Sequence, residues 1–295
     1  MVPCRSSFLV VPPMVPGRGE ADPIPARKPA APGSGKLGRA MAHRTKKLVV
    51  KVLAALPRWR LLYRACRSYC QVYDGEGIGD PSINGEALFL DRHLRPGGVV
   101  FDAGAHDGSW SAAVLARDPT ARIHAFEASA EAFARLAARR WPAPVTCRHL
   151  ALSSSVGRGR LYSEIGSLYP KPRRQPGGAL LVPRRLEEVA TTTVDRYCRE
   201  HGVGAIHLLK LDVEGHELEV LRGARGMLAA GRIDLVQFEY GPYAIYARAF
   251  LRDAFELFAG HGYRLFKITP RGLRPLPAYD ELEENFRYKN LVAMR

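Results

Sequence analysis

The first group of residues with chemical potential surrounds a glycine turn in the sequence VVFDAGAHDGS. Asp102 precedes Gly104 and Gly108, and Glu127 follows Gly104 by 23 residues. An acid roughly 20 residues beyond such a turn binds ribose hydroxyls in nucleotide-binding βαβ units. The turn lacks the G-x-G-x-x-G spacing that places a pyrophosphate on a helix N-terminus. A carboxylate beside the turn favours a ligand that has a sulfonium and an ammonium group but no phosphate, and S-adenosylmethionine has this chemistry.

The second group follows the apolar run IHLLKL, in which Lys210 is the only residue with a fixed charge. Asp212, Glu214 and His216 lie within the next five residues. Ligands of open α/β sheets bind beyond the carboxyl ends of the strands, where this group would lie. His216 is a candidate general base because an unperturbed imidazole titrates near neutral pH. Asp212 or Glu214 would orient it or serve as the base instead.

Two alternatives remain open for this acidic group. Asp212, Glu214 and Glu239, which ends a later apolar run, could gather around a divalent cation that lowers the pKa of an acceptor hydroxyl. Alternatively, Glu214 and His216 have a structural role and cap the following helix. The first alternative makes Asp212 and Glu239 the candidate metal ligands.

A mostly parallel sheet is needed to bring these two groups to one edge. Apolar runs alternate with helical patterns from residue 86 onwards, which is typical of an α/β fold, and the last strands could form an antiparallel edge. The pattern loosens over residues 153–188, so we expect a lid or substrate loop there, or disorder. Strands are predicted near 99–101, 122–126, 145–150, 189–194, 206–211, 234–238, 263–268 and 290–294, and helices near 86–95, 109–116, 130–140, 195–201, 217–228 and 250–261.

Composition limits the class of protein. The chain has 295 residues, 46% of them hydrophobic, which is ordinary for a globular protein. Its five cysteines are scattered without a CxxC pair, a pattern typical of reduced thiols in the cytoplasm. No apolar run approaches the roughly 18 residues that a membrane span needs. We therefore predict a cytoplasmic protein.

The positive charge is concentrated at the N-terminus. Residues 1–72 account for +12 of the net charge of +15, so the remainder is close to neutral. This distribution argues against a nucleic-acid partner for the catalytic body. We predict a disordered Pro/Gly-rich tail at 1–40, a basic helical extension and loop at 41–85, and the catalytic domain at 86–295. A helical pattern begins abruptly at Met41, which we interpret as the natural start of the chain.

The basic extension has two interpretations. Helices are predicted at 45–56 and 59–69, and Arg60, Arg64 and Arg67 share one side of the second. Residues 44–67 could be an interfacial segment that contacts an anionic membrane, which would place the protein at the inner membrane face. The favoured interpretation is a helical extension packed on the domain with a solvated basic face.

Seven segments resemble, in order, the FkbM family of S-adenosylmethionine-dependent methyltransferases: FDAGAHDGSWS, HAFEA, SLYP, TTTVDRYC, LLKLDVEGHELEVLRGA, VQFEYG and NLVA. The resemblance runs from about Glu86 to the C-terminus. It implies a Rossmann-like methyltransferase fold with a seven-stranded, mostly parallel sheet whose last strand is antiparallel. By position, Asp102, Gly104 and Gly108 would line the methionine end of the cofactor and Glu127 the ribose, and Ala105 and Ala128 are further candidate cofactor-binding residues.

The family implies O-methylation of a hydroxyl on a sugar, a glycan or a polyketide-like metabolite. The expected partner is therefore a small-molecule or glycan substrate, and a divalent cation remains an open alternative. Two other functions are alternatives. One is an RNA-modifying methyltransferase, which the near-neutral charge of the catalytic body disfavours, and the other is a non-catalytic module that binds an adenosyl ligand. The second would not need Asp212, Glu214 and His216. The sequence does not indicate the oligomeric state.

Overall fold

The computed structural model describes residues 46–55, 59–142, 145–163, 165–174 and 180–295. The predicted tail at 1–40 and the interpreted start at Met41 lie outside these residues. The chain divides into two units, residues 1–59 and 60–295. In the described part of the first unit, residues 46–55 are helical. Across the described residues, no helix is long and apolar enough to cross a membrane.

The second unit alternates strands and helices along most of its described length. The helices are α1 (Arg60–Asp74), α2 (Glu86–His93), α3 (Ser109–Arg117), α4 (Ala130–Ala138), α5 (Val194–Glu200), α6 (Glu217–Arg222), α7 (Arg225–Ala229), α8 (Tyr243–Ala247) and α9 (Leu251–Gly260), with a 3₁₀ turn at Glu281–Glu283. The strands are β1 (Val99–Ala103), β2 (Arg122–Glu127), β3 (Val145–His149), β4 (Ala151–Leu152), β5 (Gly157–Tyr162), β6 (Arg173–Arg174), β7 (Leu180–Leu181), β8 (Leu186–Thr192), β9 (Ile206–Leu211), β10 (Ile233–Tyr240), β11 (Arg264–Thr269), β12 (Gly272–Leu276) and β13 (Lys289–Met294).

The main sheet has the order β12-β11-β13-β10-β9-β1-β2-β3. Strands β3, β2, β1, β9 and β10 are parallel, and β13 runs antiparallel between β10 and β11. The predicted α/β fold with an antiparallel last strand is therefore confirmed. The predicted count of seven strands is wrong, because β12 folds back on β11 as a hairpin and adds an eighth.

Burial on both faces explains why the central strands are apolar throughout. Every residue of β1 and β9 is buried, as expected for parallel strands covered by helices on both sides. Alternate residues belong to two core clusters: Phe101 and Leu209 pack on one face, whereas Val100 and Leu208 pack on the other. The packing on both faces fixes the strands, so their carboxyl ends form one rigid edge of the sheet.

The predicted single helix at 217–228 is two helices, α6 and α7. They separate at Gly223, where an added Cβ would lie 2.0 Å from the carbonyl oxygen of Ser153. The Asp195 carboxylate accepts hydrogen bonds from the backbone N–H groups of Gly226 and Met227, at 2.7 and 2.9 Å, and so starts the second helix. A contact between distant segments thus decides the break.

Serine is a preferred N-cap residue, but Ser109 does not cap α3. The N-cap is Gly108, which adopts a left-handed conformation with φ of 80°, and Ser109 is the first helical residue. Elsewhere the expected chemistry is present, because the Thr193 side chain accepts a hydrogen bond from the N–H of Arg196 and caps α5.

Candidate active site

A cleft of about 600 Å³ lies beyond the carboxyl ends of β1, β2 and β9. This volume is within the range of roughly 300–1,000 Å³ that small-ligand sites occupy. The end of β5 and the loop after it contribute five residues to the wall: Leu161, Ser163, Ile165, Gly166 and Leu168. Part of the segment at 153–188 therefore lines the cleft, and its role as a lid or substrate loop stays a prediction. Six residues singled out from the sequence line the cleft: Gly104, Glu127, Ala128, Asp212, Glu214 and His216.

Gly104 allows the ends of β1 and β9 to approach each other. It has φ of 80°, and a Cβ at this position would lie 1.8 Å from the carbonyl oxygen of Asp212. Its N–H and that of Ala105 both donate to the carbonyl oxygen of Phe126, at 2.9 Å. The glycine is thus required by backbone packing at the centre of the cleft floor.

Glu127 ends β2 and holds the turn beside it. Its two carboxylate oxygens accept hydrogen bonds of 2.7 Å from the N–H groups of His106 and Ser129. Burial raises the pKa of this carboxyl, although the hydrogen bonds oppose the effect. A carboxylate has about four lone-pair positions, so Glu127 retains acceptor capacity for the hydroxyls of a ribose.

We expect Glu127→Ala to weaken S-adenosylmethionine binding from micromolar affinity by more than about tenfold, because two ribose hydroxyls lose a charged acceptor. Titration calorimetry of the folded variant measures this change. Glu131→Ala is the matched control, since Glu131 lines the same cleft but pairs with Arg135 at 2.9 Å. Equal weakening by both substitutions would show a general charge effect and remove the ribose contact.

Three residues expected to bind the cofactor do not line the cleft: Asp102, Ala105 and Gly108. Asp102 is fully buried within β1, and Ala105 is buried in the core. A Cβ on Gly108 would meet the Trp141 ring at 2.6 Å, so this glycine is required by packing. These three residues support the cleft wall, and their contact with the cofactor stays a prediction.

Lys210 explains the buried position of Asp102. The sequence assigned no role to this lysine. The register of β1 and β9 sets Asp102 beside Lys210, whose Nζ lies 3.6 Å from Asp102 Oδ1 and 3.1 Å from Asp212 Oδ2. Burial alone would lower the lysine pKa, but the charges of Asp212 and Asp102 raise it above the ordinary value. Ser111 Oγ donates to Asp102 Oδ2 at 2.6 Å. A lysine as the one residue with a fixed charge in a buried strand was the signal that could have identified this pair.

Asp212 and Glu239 form a hydrogen-bonded carboxyl pair. Burial and the charge of Asp212 raise the pKa of Glu239 well above its usual range. Burial would also raise the pKa of Asp212, but Lys210 and the hydrogen bond with Glu239 outweigh it and lower that pKa. Glu239 is therefore the protonated partner, and Asp212 carries the negative charge at the cleft, where 38% of its side chain is exposed.

The predicted metal ligands, Asp212 and Glu239, are thus close together. In the described ranges, no group of three or more His, Cys, Asp or Glu side chains is arranged to hold a metal ion. A divalent cation bound to this pair would have to displace the proton that the two carboxyls share. The metal site stays a prediction.

His216 lines the cleft, but its pKa differs from that of an ordinary imidazole. Burial lowers its pKa to about 4. Its Nε2 lies 2.9 Å from Ser153 Oγ, and its Nδ1 lies 3.2 Å from the Tyr169 hydroxyl. The ring is therefore neutral near pH 7, and both of its nitrogens have partners. This corrects the expectation of a base that titrates near neutral pH.

The loop amides before α6 are satisfied by Glu217, which the sequence did not single out. Glu217 Oε1 accepts hydrogen bonds from the N–H groups of Val213 and Gly215, at 3.1 and 3.2 Å. His216 occupies the N-cap position without a side-chain capping bond. Glu214 lies in the same tight loop with φ of 52°, an uncommon conformation for a residue with a side chain. Capping by His216 is therefore wrong.

Glu217 gives a pH test of this loop. Burial raises its pKa from 4.5 to about 8, so the folded protein favours the protonated form. Its contribution to stability is complete below the unfolded pKa and is lost as the pH rises through 8, at up to about 1.4 kcal/mol per pH unit. Between about pH 5 and pH 8, we expect the free energy of unfolding to decrease less in Glu217→Gln than in the parent protein. Urea titrations at each pH measure this free energy. Parallel curves would contradict the raised pKa, and Glu219→Gln, at a partly exposed neighbour, controls for lost charge.

The charges of the cleft wall fit S-adenosylmethionine better than a phosphate ligand. Four carboxyl residues line it against one arginine, Arg135. A negative wall attracts the ammonium and sulfonium groups of this cofactor and repels phosphate. Glu127, at the carboxyl end of β2, is placed for a ribose. The residues present therefore fit the cofactor predicted from the sequence.

The sheet order, with one reversed strand between β10 and β11, and the acidic cleft define a Rossmann-like methyltransferase. A family model described as the methyltransferase FkbM domain matches residues 102–265. The chain belongs to this family and is an S-adenosylmethionine-dependent methyltransferase.

Two curated relatives match this chain, the first over 67% of its length and the second over 47%. One is the 2-O-methyltransferase NoeI of Sinorhizobium fredii, 27% identical over 67% of this chain and 86% of the relative. The other is the 31-O-demethyl-FK506 methyltransferase FkbM of Streptomyces tacrolimicus, 31% identical over 47% of this chain and 69% of the relative. A crystal structure of methyltransferase FkbM from Methylobacillus flagellatus is 14% identical, with a TM-score of 0.40, and the match covers 71% of this chain and half of that one.

Proposed function

We propose that the protein transfers the methyl group of S-adenosylmethionine to a hydroxyl oxygen of a sugar, a glycan or a polyketide-like metabolite. The observation that carries the proposal is the carboxylate of Asp212. It lines the cleft, is partly exposed, and is kept ionised by Lys210 and by the protonated Glu239. An ionised acceptor at this edge is what a hydroxyl nucleophile requires.

When bound, S-adenosylmethionine supplies an activated methyl group. Asp212 accepts a hydrogen bond from the acceptor hydroxyl and orients a lone pair of its oxygen toward that methyl group. The hydroxyl proton becomes strongly acidic as the oxygen–carbon bond forms and the carbon–sulfur bond breaks. A carboxylate of low pKa can therefore take the proton late in the transfer. Positioning and proton acceptance of this kind contribute about 10²–10⁴-fold to rates.

His216 supports the site rather than taking the proton. A ring with a pKa of about 4 is a weak base, and its two nitrogens already contact Ser153 and Tyr169. It links the loop after β9 to the segment that forms the opposite wall. Its role in the proposal is to hold the cleft in shape while Asp212 accepts the proton.

The relatives support oxygen as the methylated atom. The names of NoeI and of the S. tacrolimicus enzyme both specify an O-methyl position. We infer the substrate class from the family. It implies an uncharged acceptor, which agrees with a cleft wall that is not basic.

The direct test uses isotope-labelled methyl donor with a panel of sugars, oligosaccharides and hydroxylated polyketides. We expect a methyl ether and S-adenosylhomocysteine in equal amounts, detected by mass spectrometry. Transfer to nitrogen or to RNA would overturn the proposal. Tight cofactor binding with no transfer to any hydroxyl, RNA or amine acceptor would favour a binding module. Loss of activity with a chelator, restored by Mg²⁺ or Mn²⁺, would assign the proton chemistry to a metal at Asp212 and Glu239.

A further inference from the structure

Helix α1 is an amphipathic helix that lies at the surface, with only Gln71 and Asp74 partly covered. None of its 15 residues is buried within the part of the chain that the structure describes. At 100° per residue, five large apolar residues occupy an arc of about 120°, and the arginines are centred on the opposite side, where Tyr63 also lies. The apolar face consists of Leu61, Leu62, Tyr69, Val72 and Tyr73, and the basic face of Arg60, Arg64 and Arg67.

The apolar face is unusually exposed for side chains of this kind. Leu61, Tyr69 and Tyr73 have 81%, 70% and 63% of their surfaces accessible. The helix is joined to the body near its end, where Asp74 lies 3.3 Å from Arg274. The favoured sequence interpretation, an extension packed on the domain, is therefore not what α1 shows. A continuous apolar face of this size marks a surface that another phase or molecule covers.

The structure assigns this face to the surface of an anionic membrane. Helix α1 carries three arginines and one acid, Asp74, which pairs with Arg274, so the helix complements a negative surface. Aliphatic and tyrosine side chains opposite the basic face are the composition of helices that lie in the interface of a bilayer. A nucleic acid would attract the arginines but would leave the leucine and valine side chains without an apolar environment.

A second copy of the chain fits less well. A helix of 15 residues is about 22 Å long and about 10 Å wide, so its face covers only a few hundred Å². Stable dimers bury about 800 Å² on each partner. A bilayer needs no such area, because the basic residues near an anionic surface add to the apolar insertion. The inference is independent of the proposed reaction.

The test is co-sedimentation of the full chain with phosphatidylcholine vesicles that contain about one third phosphatidylglycerol. We expect binding that decreases as salt rises and that is absent with pure phosphatidylcholine. The basic-face variant, Arg60, Arg64 and Arg67 to Gln, should bind about 100-fold more weakly, since each basic residue contributes about fivefold. Its control replaces three exposed arginines of the body, Arg160, Arg199 and Arg225, with Gln and removes the same charge.

The apolar-face variant separates insertion from simple charge attraction. Leu61→Ser with Tyr69→Ser should weaken vesicle binding by about tenfold per residue. Leu282→Ser with Val156→Ser, at exposed apolar positions of the body, is the matched control. Because every residue of α1 lies outside the core, the variants should melt with the parent protein, which thermal unfolding checks.

Three results would overturn the inference. Vesicle binding that the apolar-face variant leaves unchanged would show that the arginines attract lipid without docking of the helix. Sedimentation equilibrium that shows a dimer lost in the apolar-face variant, with no vesicle binding, would assign the face to a second copy. Binding of an RNA oligonucleotide in preference to vesicles, lost in the basic-face variant, would assign it to nucleic acid.

Discussion

Replacement of Asp212 by asparagine is expected to lower turnover by about 100-fold or more. The amide is nearly the same size as the carboxylate but cannot accept the proton of the hydroxyl. Affinity for S-adenosylmethionine should change little, because the residue predicted to bind the ribose is Glu127. Single-turnover rates per folded molecule, with calorimetry of cofactor binding, measure the two effects separately.

The same substitution removes a partner of a buried lysine, so stability needs its own control. Lys210 keeps Asp102 at 3.6 Å when Asp212 is neutral, and we expect a lower melting temperature as well as lower turnover. Glu219→Gln removes one charge nearby, from a residue outside the cleft lining that pairs with Arg222. If Asp212→Asn melts earlier but transfers methyl groups at the parental rate, Asp212 is structural and the proposed proton acceptor is wrong.

Glu239→Gln distinguishes a shared proton from a metal ligand. An amide can donate a hydrogen bond to Asp212 as the protonated carboxyl does, so we expect turnover to fall far less than in Asp212→Asn. A metal ligand behaves differently, because replacing a carboxylate by an amide weakens the hold on a hard cation. A collapse of activity that excess Mg²⁺ partly restores would favour the metal.

Gly104→Ala is expected to produce the second large effect, loss of cofactor binding by about 100-fold together with a stability loss of about 3 kcal/mol or more. The new Cβ would lie 1.8 Å from the carbonyl oxygen of Asp212, which is backbone and cannot rotate away. The ends of β1 and β9 must therefore separate, and Glu127 and Asp212 lose their relative positions. Calorimetry and urea unfolding measure the two losses.

Gly202→Ala is a close control for this substitution. Gly202 also has a positive φ, 65°, but a Cβ there would meet no atom within 4 Å. It should lose only about 1 kcal/mol, which is the conformational strain alone, and should bind cofactor normally. Similar behaviour of the two variants would show that strain at Gly104, and not its contact with Asp212, accounts for the effect.

A second buried ion network shows how the body of the domain anchors the loop before α2. Lys267 and Lys289 are almost completely buried and each lies 3.0 Å from Glu76. Burial would raise the pKa of Glu76, but the hydrogen bond from Asn285 and the two lysine charges lower it to about 2. These lysines occupy β11 and β13, and the sequence alone offered no indication of their pairing.

Local patterns determined a large part of this protein. Strands β1 and β9 were identified because a strand covered on both faces is apolar throughout, a property that one sequence displays without its neighbours. The glycine turn and the acid 23 residues beyond Gly104 predicted the cofactor, since backbone approach and ribose binding restrict residue type directly. The motifs around Asp102 and Asp212 were enough to place the chain in its family.

Only the tertiary structure decided how the ionisable residues behave. His216 has a pKa of about 4 because Ser153, Tyr169 and the surrounding segments bury it, and these residues are distant in sequence. The Asp102–Lys210 and Asp212–Glu239 pairs arise from strand register and from the adjacency of β9 and β10. Desolvation and charge interactions depend on which groups meet in space, so residue type gives the available chemistry, and the packing of distant segments decides which group is ionised and exposed to the cleft.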